Sequence, residues 1–446
     1  MEALPRATAG IISTAIRAAG AGQASSLPGK VVNRLFPGYL SAHAARLREG
    51  LVIVTGTNGK TTTANMAAAV LQRAGRDFVH NAEGANLFSG IATAFARAPA
   101  APFALLEIDE AIVPPAVTRL RAPRAMVLTN LFRDQLDRYG EVDRLAEGWS
   151  HTLAPLRDTV LVANADDPLI AHVALSSGLP TIFFGVEVTD DRAGHEVSDV
   201  ALCPRCATRL DYTSRWLSQL GDYACGGCDF KRPERDLAAG DIGVSAAGEL
   251  LTARLSGGLA KGELRLHVPG VHNVYNALGA LALTRHLGVD LKTALAALEA
   301  YRPVFGRWNL LRRGDSTVQV NLSKNPAGMN QTLRSLRESP GDKALIFVLN
   351  DHIADGRDVS WIWDVDMEEL LPRAQIVVTT GSRRHEMALR LLYAGLDDQR
   401  LVTVPSVGAA LGLLAERGAH SIYLLPTYTA LKEVRGALVD WHEVDT

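Results

Sequence analysis

Several things are scarce in this sequence. Of 446 residues, four are cysteine and 6% are aromatic, and the net charge is only −2. No apolar run approaches the roughly 20 residues that a bilayer-spanning helix needs. The near-neutral balance removes any global electrostatic case for nucleic acid or an acidic membrane, leaving only local basic patches open. The nearest thing to a targeting segment, ATAGIISTAIRAAGAG near the N-terminus, is broken by Arg17, and Glu2 sits where a secretory leader carries positive charge. That stretch reads as a short packed helix of a cytoplasmic protein. The cysteines fall in two pairs, Cys203/Cys206 and Cys225/Cys228, leaving none for scattered disulfides.

What is present is ordinary globular material, 47% hydrophobic and 21% charged, long enough for two or three domains. After an N-terminal arm of about 45 residues, short apolar runs alternate with helical stretches. LVIVTG (51–56), FALLEID (103–109), RAMVLTN (124–130), TVLVAN (159–164) and TIFFG (181–185) each end where polar residues begin. Strands apolar on both faces and separated by helices indicate an α/β fold with a parallel sheet covered on both sides. The rhythm breaks between about 195 and 245, around the cysteines. It resumes with helical periodicity at 271–288 and 291–301, then a second, smaller α/β pattern after Arg302-Pro303. The expected division is a helical arm (1–45), a central domain (46–302) with an insertion at about 197–240, and a Rossmann-like C-terminal domain (303–446).

The run VIVTGTNGKTTT carries the clearest chemistry. The common phosphate loop, G-x-x-x-x-G-K-[ST], would put a glycine at position 54, where this chain has Val54. A shorter loop starts at Gly56 and keeps the required context of strand, glycine turn and helix N-terminus. Glycines let backbone N–H groups face phosphate, and the helix dipole adds positive potential. Thr57, Asn58, Gly59, Lys60, Thr61 and Thr62 are therefore candidate ATP contacts, with Lys60 on the terminal phosphates and the Thr61 hydroxyl on Mg²⁺. Glu107, Asp109 and Glu110 end the strand beside it, where ligands of α/β sheets collect. Glu107 is the candidate second Mg²⁺ ligand, and the other two are as readily solvated acids.

The cysteine spacing, C-x₂-C, eighteen residues, C-x₂-C, suits a structural four-thiolate zinc ribbon, with a redox dithiol as the alternative. Few aromatics and mixed charge around it speak against nucleic acid. His267, His272 and His352 have no partner set and are assigned no role.

Together these segments resemble the Mur ligase superfamily. The matching pieces are the short loop Gly56 to Thr61, Glu107, Thr129-Asn130 through Asp134-Gln135-Leu136-Asp137, Asn164 to Pro168, Gly270 to Ala277, and Phe305-Gly306-Arg307. The chain departs from the common pattern in three ways. The loop lies too near the N-terminus for the domain that grips a UDP-sugar, Gln135 and Asn309 replace a common His and Glu, and Asn321 to Pro326 reads N-L-S-K-N-P instead of D-Y-A-H-N-P. With the cysteine ribbon and D-G-R-D-V-S-W-I-W-D at 355–364, the chain is similar to the MurT branch.

The resemblance implies ATP- and Mg²⁺-dependent amidation of a D-glutamate carboxylate in the peptidoglycan precursor lipid II, at the inner face of the membrane. It also implies nucleotide contacts by Asn273 and Arg307, structural Zn²⁺ on the four cysteines, and ammonia from a GatD-type glutaminase partner whose triad Asp355, preferred to Asp358, completes. Rival readings are a ligase of the same superfamily that adds an amino acid directly, and a zinc-ribbon ATPase that binds nucleic acid.

Overall fold

The protein is described by a computed structural model that covers residues 3–18, 25–82, 85–98, 101–134, 142–187, 198–245, 250–268, 270–303, 305–338, 341, 343–369 and 371–444. Gln135, Leu136 and Asp137 lie outside the described residues.

The first sheet begins with β1 (Gly50–Thr55), β2 (Phe78–His80), β3 (Phe103–Glu107), β4 (Ala125–Leu128), β5 (Val160–Asn164) and β6 (Thr181–Val186). A separate hairpin follows, β7 (Leu210–Leu217) and β8 (Leu220–Cys225). The chain then returns to the first sheet as β9 (Leu237–Val244), β10 (Leu251–Ser256) and β11 (Gly262–Leu266). The strand order is β11-β10-β9-β6-β5-β4-β1-β3-β2. The parallel arrangement holds from β2 to β9, but β10 and β11 extend the edge antiparallel, so the sheet is mixed. β9 also begins inside the stretch assigned to the ribbon.

Alternation along the strands builds the core. Val52 and Val54 of β1 pack on one face with helices Lys60–Arg73 and Val271–His286. Leu51 and Ile53 pack on the other face with helices Phe88–Arg97 and Val142–Leu153. Both faces are covered, so both residue sets must be apolar, which is why the strand reads as a continuous run.

The second sheet comprises β12 (Arg307–Arg313), β13 (Ser316–Asn321), β14 (Lys343–Val348), β15 (Ala374–Thr380), β16 (Leu401–Thr403), β17 (Ser421–Pro426) and β18 (His442–Glu443), ordered β16-β15-β14-β17-β13-β12-β18. Its first five strands in that order are parallel, and β12 and β18 add antiparallel. No described helix is long and apolar enough to cross a membrane.

Candidate active site

β1 delivers the chain into the turn Gly56-Thr57-Asn58-Gly59, and helix Lys60–Arg73 starts at once. Gly59 caps that helix at φ +82°, and a Cβ there would lie 2.1 Å from Asn276 Oδ1, so close approach and backbone sign both require glycine. Thr129 and Asn130, just past β4, brace the turn. Thr129 Oγ1 donates to Asn58 O (2.9 Å), Asn58 N donates to Asn130 Oδ1 (2.8 Å), and Phe132 N donates to Thr57 Oγ1 (3.0 Å). Asn164 Nδ2 in turn holds Thr129 O at 2.9 Å. The segments that carried the resemblance are thus the scaffold of the loop. They fix its N–H groups before any anion arrives.

Lys60 is buried and lies within its own loop, donating to Gly56 O, to Thr57 O (3.1 Å) and to Glu110 Oε2 (2.6 Å). Burial pushes Glu110 up, but Lys60 and then Lys324 hold its carboxyl below the usual range. Glu110 is therefore an ion-pair partner and not a solvated acid. Glu107 is buried as well, and burial raises its carboxyl, with Lys60, Thr61, Arg307 and Asn86 opposing. Asn81 brackets its backbone with two bonds of 2.8 Å. The Thr61 hydroxyl lies near enough to the Glu107 carboxyl to favour its charged form, so the two candidate Mg²⁺ ligands sit together. A hydroxyl and a carboxylate are the hard oxygens Mg²⁺ takes, and a dication would relieve the buried charge, so the residues fit that ion.

Arg307 reaches this point from the second sheet. A bulge between Arg307 and Asn309 and a left-handed Trp308 (φ +67°) break the alternation of β12. Asn309 Oδ1 accepts from Arg307 N at 3.1 Å and holds the turn. The Arg307 charge then lies within range of Glu107, while Trp308 stacks on His272 at 6.4 Å between centroids.

Three further contacts close the seam between the sheets. Asn58 and Asn325 exchange amide bonds (3.3 and 3.0 Å), Lys324 pairs with Asp134, and Arg133 reaches Asp364 (3.3 Å). Lys324 and Asn325 belong to the N-L-S-K-N-P departure. Burial pushes the Asp134 carboxyl up, only partly offset by Lys324, and its Oδ1 has no hydrogen-bond partner among the described residues. A 150 Å³ cavity opens here, lined by Asp134, Lys324, Asp355, Asp358 and Trp361. Asp355 is only 4% exposed. It accepts from Thr429 N (2.8 Å), Thr429 Oγ1 (2.5 Å) and His352 N (3.2 Å). Asp358 is the exposed one, accepting from Ser360 N at 2.8 Å.

On the other side of Gly59 a small slot is lined by Phe184, Leu217, Leu220, His272, Tyr275 and Asn276. Asn273 does not line it, but its Oδ1 accepts from Asn276 Nδ2 (3.1 Å). Leu217 and Leu220 stand at the tip of the β7–β8 hairpin, tied down by Gln219 Nε2 to Leu131 O (2.8 Å). At its base the four cysteine sulfurs lie within 4.8 Å of one another, unbridged. Arg205 N and Gly227 N point at Cys203 and Cys225 sulfurs (3.4 and 3.3 Å), donors that favour thiolates, so the set fits tetrahedral zinc. Removing zinc with a chelator should loosen the tip and weaken nucleotide binding by about tenfold, the usual scale for losing a support behind a site. Zinc content and ADP titration before and after chelation check this. Metal-free protein from a reducing preparation would refute it.

His272 was assigned no role, yet it lines the slot. Burial, then Arg307, pushes its imidazole down to about 4 from an ordinary 6.5, so it is neutral at pH 7. The unfolded chain takes up a proton below 6.5 and the folded chain only near 4, so stability falls as pH drops through that window. From pH 7 to 5 the loss is about 2 kcal/mol. His272→Phe keeps the stack on Trp308 and should remove this slope in denaturant titrations at the two pH values. Parallel profiles for variant and parent would contradict a buried, neutral imidazole.

The sequence named Glu110 as a strand-end acid and Asp134 and Asn276 within matching segments, but gave no specific site role to these three or to Lys324 and Asn325. Lys324 and Asn325 were visible as a departure from D-Y-A-H-N-P, whereas the pairing of Glu110 with Lys60 and of Asp134 with Lys324 had no local signal.

Residues 54–201 match the Mur ligase middle domain family and 322–431 the MurT ligase C-terminal family. The chain is 32% identical to the lipid II isoglutaminyl synthase (glutamine-hydrolyzing) subunit MurT of Streptococcus pneumoniae, over 94% of this chain and 93% of that one. With the Staphylococcus aureus subunit of the same name identity is 31%, over 91% of each. A pseudomurein peptide ligase type C from Methanothermus fervidus superposes with TM-score 0.68 at 20% identity, covering 88% of this chain and 79% of that one. With its short phosphate loop, cysteine ribbon and C-terminal sheet, the chain belongs to the MurT family of Mur-type ligases.

Proposed function

We propose that the chain is the ligase subunit of a lipid II isoglutaminyl synthase. The observation that carries this reading is the meeting of Lys60, Thr61, Glu107 and Arg307, three of them from the loop and β3 and one from the second sheet. A carboxylate is a poor acylating agent because its leaving group would be oxide. Transfer of the ATP γ-phosphoryl group to the α-carboxylate of D-glutamate gives an acyl phosphate. Ammonia then attacks the carbonyl carbon, and phosphate leaves with the bonding electrons. The amine proton is lost to water or a nearby base, and D-isoglutamine remains.

In this scheme the backbone of Thr57 to Gly59 and Thr62 cradles the phosphates, Asn273 and Asn276 support the slot, and Lys60 and Arg307 neutralise the transferring group. Mg²⁺ on Thr61 and Glu107 supplies further charge neutralisation when bound. Residues 46–302 act as the ATP-binding domain and 303–446 as the domain that completes the site through the Asn58–Asn325 and Lys324–Asp134 contacts.

Free ammonia at neutral pH is mostly ammonium, which has no lone pair. The names of both MurT relatives include glutamine hydrolysis. That supports a GatD-type glutaminase partner, its histidine oriented by Asp355 at the cleft. Such a complex acts at the cytoplasmic face of the membrane.

The test is incubation with ATP, Mg²⁺, ammonium chloride and purified lipid II, followed by mass spectrometry of the stem peptide. Conversion of one carboxyl to a carboxamide, with one phosphate released per amide, is the expected result. No carboxamide, or addition of an amino acid in its place, overturns the reading and favours a direct amino-acid ligase.

A further inference from the structure

Residues 3–48 contain Arg6, Arg17, Lys30, Arg34, Arg46 and Arg48 and no acidic residue, in a chain whose net charge is −2. The basic excess missing from the whole molecule is concentrated here. Two of the arm's helices, Ala3–Ala18 and Leu27–Leu35, dock on helix Phe88–Arg97 by small inner faces. Gly29 N donates to Thr93 Oγ1 (2.9 Å), and a Cβ on Gly29 would fall 1.8 Å from Ser89 O. Ser13 accepts from the Arg97 guanidinium at 3.2 and 3.4 Å, and Ala9 is fully buried. These contacts fix which face of each helix points outward.

The outward faces of both helices are apolar, and that of the second is basic as well. In the second helix the exposed residues Leu27, Lys30, Arg34 and Leu35 follow a spacing of three, four and one, with half-buried Val31 among them. They form one stripe, opposite the buried Pro28, Gly29 and Val32. In the first helix Leu4 and Ile11, seven residues apart, share a side with Ala7 and are 69% and 71% exposed. Leu27 and Leu35 are 52% and 59% exposed. Four large aliphatic side chains in water beside lysine and arginine, on elements packed well from behind, are unlike scattered surface leucines. Interfacial helices carry that combination, apolar groups entering the headgroup boundary and basic groups meeting anionic lipid.

We propose that the outer faces of helices Ala3–Ala18 and Leu27–Leu35 dock the protein on an anionic bilayer surface. The proposal rests on the reading that the substrate is lipid-linked, and it names the surface that brings the site to it. The geometry is consistent with access from that side. Thr93, which holds Gly29, also lines a 480 Å³ cavity shared with Phe78, His80 and Asn81, and Asn81 brackets Glu107. The docking helices therefore stand one helix away from a cavity that borders the catalytic strand.

The experiment uses the full chain with phosphatidylcholine vesicles, with and without phosphatidylglycerol, in a sedimentation assay. The parent should bind only the phosphatidylglycerol vesicles and dissociate at high salt. Each basic residue near such a surface contributes roughly a fivefold factor, so Lys30→Gln/Arg34→Gln should weaken partitioning by about 30-fold. Leu4→Gln/Ile11→Gln should weaken it by at least about tenfold. Both variants should amidate a water-soluble D-glutamate stem peptide at the parental rate, which also shows that they fold, while amidation of lipid II in vesicles falls with binding. Equal binding to neutral and anionic vesicles overturns the proposal, as does unchanged binding in both variants. Loss of self-association in light scattering with vesicle binding intact also overturns it, in favour of contact between copies. If the parent binds vesicles but amidates neither substrate, the catalytic reading fails while the docking surface stands.

Discussion

Lys60→Ala is expected to abolish amidation with ammonium and with glutamine alike, by on the order of 10³-fold. The ammonium group lies inside the loop, donating to the Gly56 and Thr57 carbonyls. Its removal has a second consequence that could masquerade as lost catalysis. Glu110 would stay buried without the partner it holds at 2.6 Å, and breaking such a pair costs roughly 3–5 kcal/mol. Lys60→Ala alone therefore conflates chemistry with stability. Lys60→Ala combined with Glu110→Gln separates them, because the neutral amide removes the stranded charge. The double variant should regain most of the thermal stability and none of the turnover. Recovery of activity along with stability would show that Lys60 is a structural countercharge, and the phosphate-loop role would be lost.

The contrast between Lys60 and Glu110 also shows what a linear reading can reach. Gly56 to Thr61 and Glu107 were legible because a turn, a helix start and a strand end are local, and each carries its own steric or electrostatic requirement. Arg307 was legible only through the resemblance, since its placement depends on a bulge and on the left-handed Trp308. Glu110 and Asp134 were legible as a strand-end acid and a member of a matching segment, but their ion pairs were not. Their states are set by Lys60 and Lys324, 50 and 190 residues away in sequence. The same distinction holds in the fold. β1, β3 and β4 are apolar on both faces and announce themselves, whereas β10 alternates buried and exposed positions in a glycine-rich stretch and did not. Asp355 stands between these cases. The residue was singled out, but its burial was missed because the bonds that bury it come from Thr429, 74 residues downstream.

Asp355→Asn should reduce glutamine-dependent amidation by up to about 10⁴-fold, the scale for a triad acid replaced by its amide, and leave ammonium-dependent amidation near the parental rate. Burial does not count against the role, because an acid that orients a histidine works best when its own position is fixed. Three donors already hold Asp355, which leaves a lone pair free, and the carboxylate borders the cleft. An asparagine can still accept from Thr429 N, and the Thr429 hydroxyl can turn to accept from the amide. Only the bond from His352 N is then lost, at about 1 kcal/mol, too little to unfold the loop. Asp358→Asn is the comparison: exposed and bonded only to Ser360 N among the described residues, it should change neither activity by more than about twofold. Two assays on each variant decide the matter, one with glutamine and the glutaminase subunit, the other with ammonium chloride alone. If Asp355→Asn lowers both activities equally, Asp355 belongs to the ligase cleft and the partner's histidine is oriented from elsewhere. If Asp358→Asn shows the split, the exposed aspartate is the one that reaches across.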